Sequence, residues 1–222
     1  MVTEMAAFDF GVKVDPDLFD KQLHTTCSVN VQDYIMQGWE MFRENIGEFT
    51  GFTLIIFAVS AVCSVFYSAS PLVFSAIGAA LSAGYTIAAF RLSSGQPILF
   101  NDFFRGFNYF LPLFLAALAT SILVTIGFVL LLVPGIYLAV GYMFTNFLVI
   151  DYRMEFWQAM EMSRKIIARN WFAFFGFALV LLVLNLLGAL ALGVGLLVTL
   201  PVTSCAAAIA YKEIVGLYSS EW

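Results

Sequence analysis

Charged side chains are absent from three long stretches of this sequence. Residues 49–90, 106–150 and 170–211 contain none, although the chain has 10 Lys and Arg and 15 Asp and Glu residues. A helix rises about 1.5 Å per residue, so roughly 20 residues cross a hydrocarbon core about 30 Å thick. Each stretch is long enough for two crossings. Breaks at 68–71, 133–135 and 188–195 predict three helical hairpins and six transmembrane helices.

Groups that carry chemistry are also scarce. The single histidine is His24, and Cys27, Cys63 and Cys205 lack the spacing of a metal site or a disulfide framework. No ionisable residue falls inside a predicted span, which argues against a proton-coupled transporter. We find no catalytic or phosphate-binding motif in a credible setting. The sequence therefore predicts no enzyme activity, no cofactor and no metal.

Composition sets the class of protein. Apolar residues make up 62% of the chain and charged residues 11%, whereas charged residues are about a quarter of a soluble domain. The apolar runs are unbroken, which excludes the alternation of a membrane β-barrel. No cleavable signal peptide is recognisable at the start. The expected fold is an all-α polytopic membrane protein.

The basic residues predict the orientation. A hairpin returns to the side that it left, so all four charged clusters lie on one face of the membrane. Lys and Arg accumulate in cytoplasmic loops, and all ten lie on this face. Both termini are therefore expected in the cytoplasm. The net charge of −5 argues against nucleic acid as a partner, because an acidic face repels phosphate.

The chain divides into three parts. Residues 1–30 read as an acidic cytoplasmic tail, either solvated or a peptide that ties the protein to a partner. Residues 31–217 form a single six-helix transmembrane domain, and residues 218–222 form a short C-terminal tail.

An amphipathic segment precedes each hairpin. Apolar residues follow a helical stripe in residues 31–46, 100–107 and 155–169, with charged residues on the other faces. Aromatic residues with flanking Arg and Lys are typical of helices at the membrane surface. We expect anchoring at the interface by Trp39, Phe42, Phe103, Phe104, Trp157 and Trp171.

The segments also indicate an internal repeat of about 62 residues. Asn45, Asn108 and Asn170 each stand where an amphipathic segment meets a span. The units would be 31–92, 98–150 and 155–217. Asn45, Phe49, Gly51, Phe52 and Leu54 recur 125 positions later. Chance similarity between apolar segments is the competing interpretation.

Within the spans, small residues mark helix packing, because they let helix backbones approach closely. The predicted packing residues are Ser60 and Ser64 on the first span, and Ala76, Ala80, Gly84 and Ala88 on the second. These two stripes are expected to face each other or a neighbouring subunit. Asn146 and Asn185 are the candidate intramembrane polar residues, and we interpret them as interhelical hydrogen-bonding groups in preference to substrate ligands.

One family resemblance is carried by the run Val133–Val140, by the run from Phe147 to Asp151, by Ala159 and Ser163, and by Asn170-Trp171. Together with Gly38–Phe42, these residues resemble bacterial six-span proteins that include the membrane domain attached to some glycerophosphodiester phosphodiesterases. The resemblance covers about residues 30–215. It implies a bacterial inner-membrane location. It implies no catalytic residues, because the group is named after a fused catalytic domain.

Two functions remain open. The first is a non-catalytic membrane protein, either an accessory or scaffolding subunit of a larger membrane complex or a protein that organises lipid. Its partners would be membrane lipids and an integral membrane protein or further copies of itself. The second is a transporter or channel-like protein for a neutral or amphipathic solute.

Overall fold

The computed structural model describes residues 29–66, 71–191 and 193–218, with the backbone alone for 63–66 and 71–76. Every regular element in this part of the chain is a helix. The predicted tail lies outside the described residues apart from Val29 and Asn30, and the predicted break at 68–71 does so apart from Pro71, the first residue of the helix Pro71–Ser93. The helices are α1 Val31–Glu44, α2 Ile46–Phe66, α3 Pro71–Ser93, a 3-10 helix Phe100–Tyr109, α4 Phe110–Leu130, α5 Leu132–Gly141, α6 Thr145–Asp151, α7 Phe156–Ala168, α8 Trp171–Leu190 and α9 Leu196–Val215.

Four helical segments in this part of the chain are long and apolar enough to cross a membrane: Phe100–Leu130, Leu132–Asp151, Trp171–Leu190 and Leu196–Val215. A fifth is counted if α1 and the described part of α2 form one span, although their axes meet at 94°. The predicted all-helical membrane class is confirmed. The count of six spans and the hairpin arrangement stay predictions.

Two asparagines occupy matching junctions between a polar-faced helix and an apolar helix. Asn45 ends α1 at φ −131°, ψ 41°, and Asn170 precedes α8 at φ −142°, ψ 50°. The carbonyl of Asn45 accepts a hydrogen bond from Phe49, and that of Asn170 accepts one from Phe174. Asn108 differs, because it lies inside the 3-10 helix, which passes directly into α4.

Aromatic side chains form the core that holds α2, α3 and the 3-10 helix together. The ring of Phe52 lies 4.6 Å from that of Phe103 and 5.1 Å from that of Tyr85. The Tyr85 hydroxyl lies 2.8 Å from the Thr53 hydroxyl, which donates to the Phe49 carbonyl. The Phe52 and Tyr85 rings meet edge to face, an arrangement that stabilises a core beyond the area that it buries. A second aromatic cluster joins α3, α6 and α9 through Phe90, Phe144, Phe147 and Tyr211.

The first two polar-faced segments pack closely on helices elsewhere in the chain. Helix α1 lies against α9, and a Cβ placed on Gly38 would be 2.8 Å from the Val202 oxygen and 2.9 Å from the Ala206 nitrogen. The 3-10 helix lies in the same way against α3, where a Cβ on Gly106 would overlap the Ala80 carbonyl oxygen. Glycine is required at both positions, because any side chain would push the two backbones apart.

The third polar-faced helix, α7, makes the corresponding contact through a serine. The Ser163 hydroxyl donates to the Gly141 carbonyl at 2.7 Å and accepts from the Phe144 amide at 3.1 Å. The three contacted carbonyls belong to Ala80, Gly141 and Val202, which are 61 positions apart in each step. Each polar-faced segment thus packs on a helix from elsewhere in the chain, and the contact of α1 with α9 joins the two ends of the described chain.

Candidate functional site

The candidate functional site is the apolar outer surface at the ends of α4, α5 and α8. Leu113 and Ala116, in the first half of α4, are fully buried. The large exposed side chains towards the α4–α5 connection are Ile122, Ile126, Phe128, Val129, Leu130, Leu131, Leu132 and Val133. On α8 they are Leu179, Val180, Leu182, Val183, Leu186, Leu187 and Leu190. Soluble proteins rarely expose such contiguous apolar surface. These helices indicate a multi-pass membrane protein.

Polar side chains occupy the outward faces of α1 and α7. The exposed polar residues on α1 are Gln32, Asp33, Gln37, Glu40, Arg43 and Glu44, and those on α7 include Glu161, Arg164 and Lys165. Because each helix buries its opposite face against the core, its polar face is directed outward. The surface therefore combines apolar helix ends with polar-faced helices.

The predicted packing residues meet a different partner from the one expected. Ala80, Gly84 and Ala88 are buried, but Ala80 and Gly84 contact the 3-10 helix of the same chain, where the carbonyl of Phe103 lies directly against Gly84. Ser60 is exposed. The expectation that two small-residue stripes face each other or another subunit is thus corrected for Ala80 and Gly84. The side chains of Ser64 and Ala76 lie outside the described residues.

The predicted interfacial residues separate into two groups. Trp39 and Trp157 are 48% and 56% exposed on α1 and α7, so both rings lie on the outer surface, where the anchoring prediction requires them. Phe42 and Phe103 are 3% and 0% exposed. The prediction that these two side chains anchor the protein at the interface is corrected: both pack in the core, and a buried ring cannot reach the membrane surface. Phe104 and Trp171 are half-buried, and the Trp171 ring stacks on Phe175 at 5.2 Å.

Of the two candidate intramembrane polar residues, Asn185 joins two helices. Its Nδ2 lies 3.1 Å from the Thr203 hydroxyl, which links α8 to α9. Thr203 also donates to the Thr199 carbonyl of its own helix at 2.8 Å. Asn146 is half-buried on α6. The bond of Asn185 is the interhelical contact that the sequence predicts for this residue.

Asp151 is a buried carboxylate, which the sequence analysis names only as part of the family resemblance and to which it assigns no structural role. It is 1% exposed. It accepts a hydrogen bond from the Tyr211 hydroxyl at 2.9 Å and one from the Tyr218 amide at 3.0 Å. Burial, with a smaller effect of the Asp151 charge, raises the pKa of Tyr152 above its ordinary value. Neither the resemblance nor the position of Asp151 directly after a long apolar run distinguishes a buried carboxylate from a solvated one.

A second carboxylate, Asp102, organises the start of the 3-10 helix. It is 4% exposed and accepts from the Leu99 amide at 2.8 Å. Arg91 and Arg105 lie 3.3 and 3.2 Å from one of its oxygens. A buried carboxylate needs such partners, because leaving it uncompensated is strongly destabilising. The bonds of Asp102 are therefore structural, and they tie the 3-10 helix to the end of α3.

Within residues 29–66, 71–191 and 193–218, no three His, Cys, Asp or Glu side chains are grouped to hold a metal ion. Comparison of the chain with protein-family models, with curated proteins and with solved structures found no match. The resemblance to the six-span bacterial group therefore stays a prediction.

Proposed function

We propose that the protein is a non-catalytic integral membrane protein that organises lipid around a compact set of helices, or that supports a larger membrane complex through the same surface. The observation that carries the proposal is the division of its surface between exposed apolar helix ends and polar-faced helices. Membrane lipid fits this surface, because its hydrocarbon contacts apolar side chains and its headgroups contact polar and aromatic side chains.

Topology forms part of the proposal. The chain crosses a bacterial inner membrane six times in three hairpins, with both termini in the cytoplasm. Helices α2 and α3 have 21 and 23 residues, each long enough for one crossing, which supports two spans in addition to the four segments above. The basic residues on one side of these spans support the orientation.

Three equivalent units support the proposed architecture. The junctions at Asn45 and Asn170 lie 125 positions apart, and the contacts at Ala80, Gly141 and Val202 lie 61 positions apart in each step, close to the predicted repeat of about 62 residues. In such a repeat, each polar-faced segment packs on a helix of a neighbouring unit, through Gly38, Gly106 or Ser163. This arrangement favours a supporting role for the protein, since its helices pack on one another throughout the core.

The test is extraction from membranes in a mild detergent, followed by size-exclusion chromatography and mass spectrometry of the purified sample. A stoichiometric second protein would support the accessory-subunit form of the proposal, and the protein alone with tightly held lipid would support the lipid-organising form. A homo-oligomer whose melting temperature rises on addition of a neutral solute would instead support a transporter and would contradict the proposal.

A further inference from the structure

A groove lies between α4 and α7 on the outer surface of the protein. Its volume is about 310 Å³, and we call it the α4–α7 groove; it is lined by Leu123, Tyr142, Trp157, Met160, Glu161 and Arg164. This volume is at the lower end of the range of roughly 300–1,000 Å³ typical of ligand sites. The lining combines an apolar wall on α4 with a charged and aromatic wall on α7.

The charge available in the α4–α7 groove is that of Arg164. Glu161 also lines the groove, but its carboxylate lies 3.0 Å from the Lys165 ammonium in an ion pair on the same helix. No ion pair joins Arg164 to a carboxylate among the described residues. The stem of Arg164 passes beside Gly141, where a Cβ would be in ordinary van der Waals contact with the Arg164 Cγ at 3.7 Å. Arg164 therefore lines the groove as an exposed cation that forms no ion pair with a described carboxylate.

The apolar wall of the groove continues along α4. Leu123, Ile126 and Leu130 lie on one helical face, at positions i, i+3 and i+7. Ile126 is 49% exposed and Leu130 is 71% exposed. The stripe runs for about 10 Å beyond Leu123, given a rise of 1.5 Å per residue. A chain-like apolar ligand anchored in the groove would therefore find a continuous surface towards the α4–α5 connection.

A second groove occupies the equivalent place between α8 and α1. We call it the α8–α1 groove; its volume is about 220 Å³, and its lining includes Ile35, Trp39, Leu184 and Thr203. Leu184 and Thr203 follow Leu123 and Tyr142 by 61 positions. Ile35 and Trp39 precede Met160 and Arg164 by 125 positions. The two grooves are thus built from matching positions, and Trp39 stands where the α4–α7 groove has Arg164.

We propose that the α4–α7 groove binds an anionic phospholipid, with its phosphate on the Arg164 guanidinium and an acyl chain on the stripe of α4. The proposal rests on the proposed function, since it requires the surface of α4 to face lipid. Guanidinium groups bind phosphate through two parallel hydrogen bonds. A charge beside an apolar helix face needs a partner of opposite sign, because hydrocarbon does not solvate it. Tyr142 and Trp157 add aromatic side chains to the lining of the groove.

The α8–α1 groove takes an acyl chain without selecting a headgroup. Its lining contains no charged side chain, so nothing in it distinguishes an anionic from a zwitterionic lipid. The α4–α7 groove therefore selects an anionic headgroup through Arg164, whereas the matching α8–α1 groove has Trp39 at that position and does not select a headgroup.

The first test is native mass spectrometry of the full chain in detergent with equal amounts of dioleoylphosphatidylglycerol and dioleoylphosphatidylcholine. The wild-type protein should retain the phosphatidylglycerol preferentially. R164Q should lower that preference roughly tenfold, as expected for loss of charge-assisted hydrogen bonds, and R164K should restore part of it. R169Q is the matched control, because Arg169 is exposed just after α7 and does not line the groove. Equal lipid retention by R164Q and R169Q would overturn the proposal.

The second test locates the lipid. Phosphatidylglycerol with brominated acyl chains should quench the fluorescence of Trp157 in the wild-type protein, measured as the signal lost in W157F, and R164Q should abolish the headgroup preference of this quenching. Trp39 should be quenched equally by brominated phosphatidylglycerol and phosphatidylcholine. Stabilisation of the protein by inorganic phosphate to the same extent as by phosphatidylglycerol would identify a free-anion site and overturn the lipid assignment.

Flotation with lipid vesicles separates this proposal from the proposed function. A protein that floats with vesicles but shows no dependence on Arg164 retains its membrane role and loses the groove assignment. A protein that does not float contradicts both.

Discussion

Three small residues decide how closely the polar-faced segments approach their neighbours. Gly38 and Gly106 bring backbones into direct contact, and Ser163 replaces that contact with two hydrogen bonds. Close backbone approach is a main source of packing between helices in a membrane, where lipid removes most of the hydrophobic drive for association. Single substitutions at these positions are therefore informative.

Gly38→Ala should destabilise the protein. The new methyl group would lie 2.8 Å from the Val202 oxygen, and overpacking of this kind typically costs about 1–3 kcal/mol. Gly176→Ala is the control, because no atom lies within 4 Å of a Cβ there; it should be neutral or stabilising by up to about 1 kcal/mol. Thermal unfolding in detergent measures both, and equal melting temperatures for the two variants would refute the close contact of α1 with α9.

Ser163→Ala should also destabilise the protein. It would leave the Gly141 carbonyl and the Phe144 amide without the buried hydroxyl that both contact, and an unsatisfied buried group costs about 1–3 kcal/mol. Ser121→Ala is the matched control, because that exposed hydroxyl bonds only to Ala117 in its own helix. The control should change the free energy of unfolding by less than about 0.5 kcal/mol. A silent Ser163→Ala would show that water or another group replaces the hydroxyl.

At the scale of elements, α1 is part of the folded core. Tyr34, Gly38 and Phe42 are its buried residues, and the ring of Tyr34 lies 5.7 Å from that of Phe177 on α8. The buried face of α1 therefore contacts α8 through Tyr34 and α9 through Gly38. Its polar face remains outside, where Trp39 stands beside Glu40.

Two substitutions on α1 separate core packing from surface anchoring. Phe42→Ser should destabilise the protein by at least about 3–5 kcal/mol, the usual cost of truncating a buried phenylalanine, because its side chain is 3% exposed. Trp39→Ser should cost much less stability but should reduce the amount of lipid that copurifies in mild detergent, since that ring is on the surface. Unfolding in mixed micelles and quantification of the copurified lipid measure the two effects. Similar losses of stability for both variants would mean that Trp39 is also a core residue.

At the scale of the whole molecule, the contact between α1 and α9 brings the start and the end of the described chain together. Contacts of α3 with α9 and of α7 with α5 and α6 complete the arrangement. The C-terminal end is held by Asp151 through Tyr211 and Tyr218. These long-range contacts make the stability of α1 depend on the packing of α9.

Topology can be tested with single cysteines in a variant lacking Cys27, Cys63 and Cys205. If the proposed orientation is right, cysteine at Val133 or Val194, both highly exposed, reacts with a membrane-impermeant maleimide added outside intact cells. Cysteine at Glu44 should react only after the membrane is opened, because the basic clusters keep its side in the cytoplasm. Reaction of Val133 and Glu44 positions from the same side would eliminate the six-span topology.

The membrane class of this protein was determined by its sequence. Charge-free runs of more than 40 residues impose helices and a bilayer, because hydrocarbon leaves no other partner for the backbone. The apolar stripes of residues 31–46 and 155–169 located α1 and α7, because the 3.6-residue period is a local property of the chain. The junctions at Asn45 and Asn170 could be predicted from the sequence, because each lies where an amphipathic pattern gives way to a long apolar run.

Only the tertiary structure decided which surfaces meet. A stripe shows that one face of a helix is buried, but it does not name the partner, so the packing of α1 on α9 and of Gly84 against the 3-10 helix was not predictable. The burial of Asp151 depends on Tyr211 and Tyr218, which lie 60 or more positions away in the chain. The α4–α7 groove likewise joins residues from separate helices. Contacts of this kind depend on the shape of the whole molecule, whereas the pattern of the sequence records only the local environment of each helix.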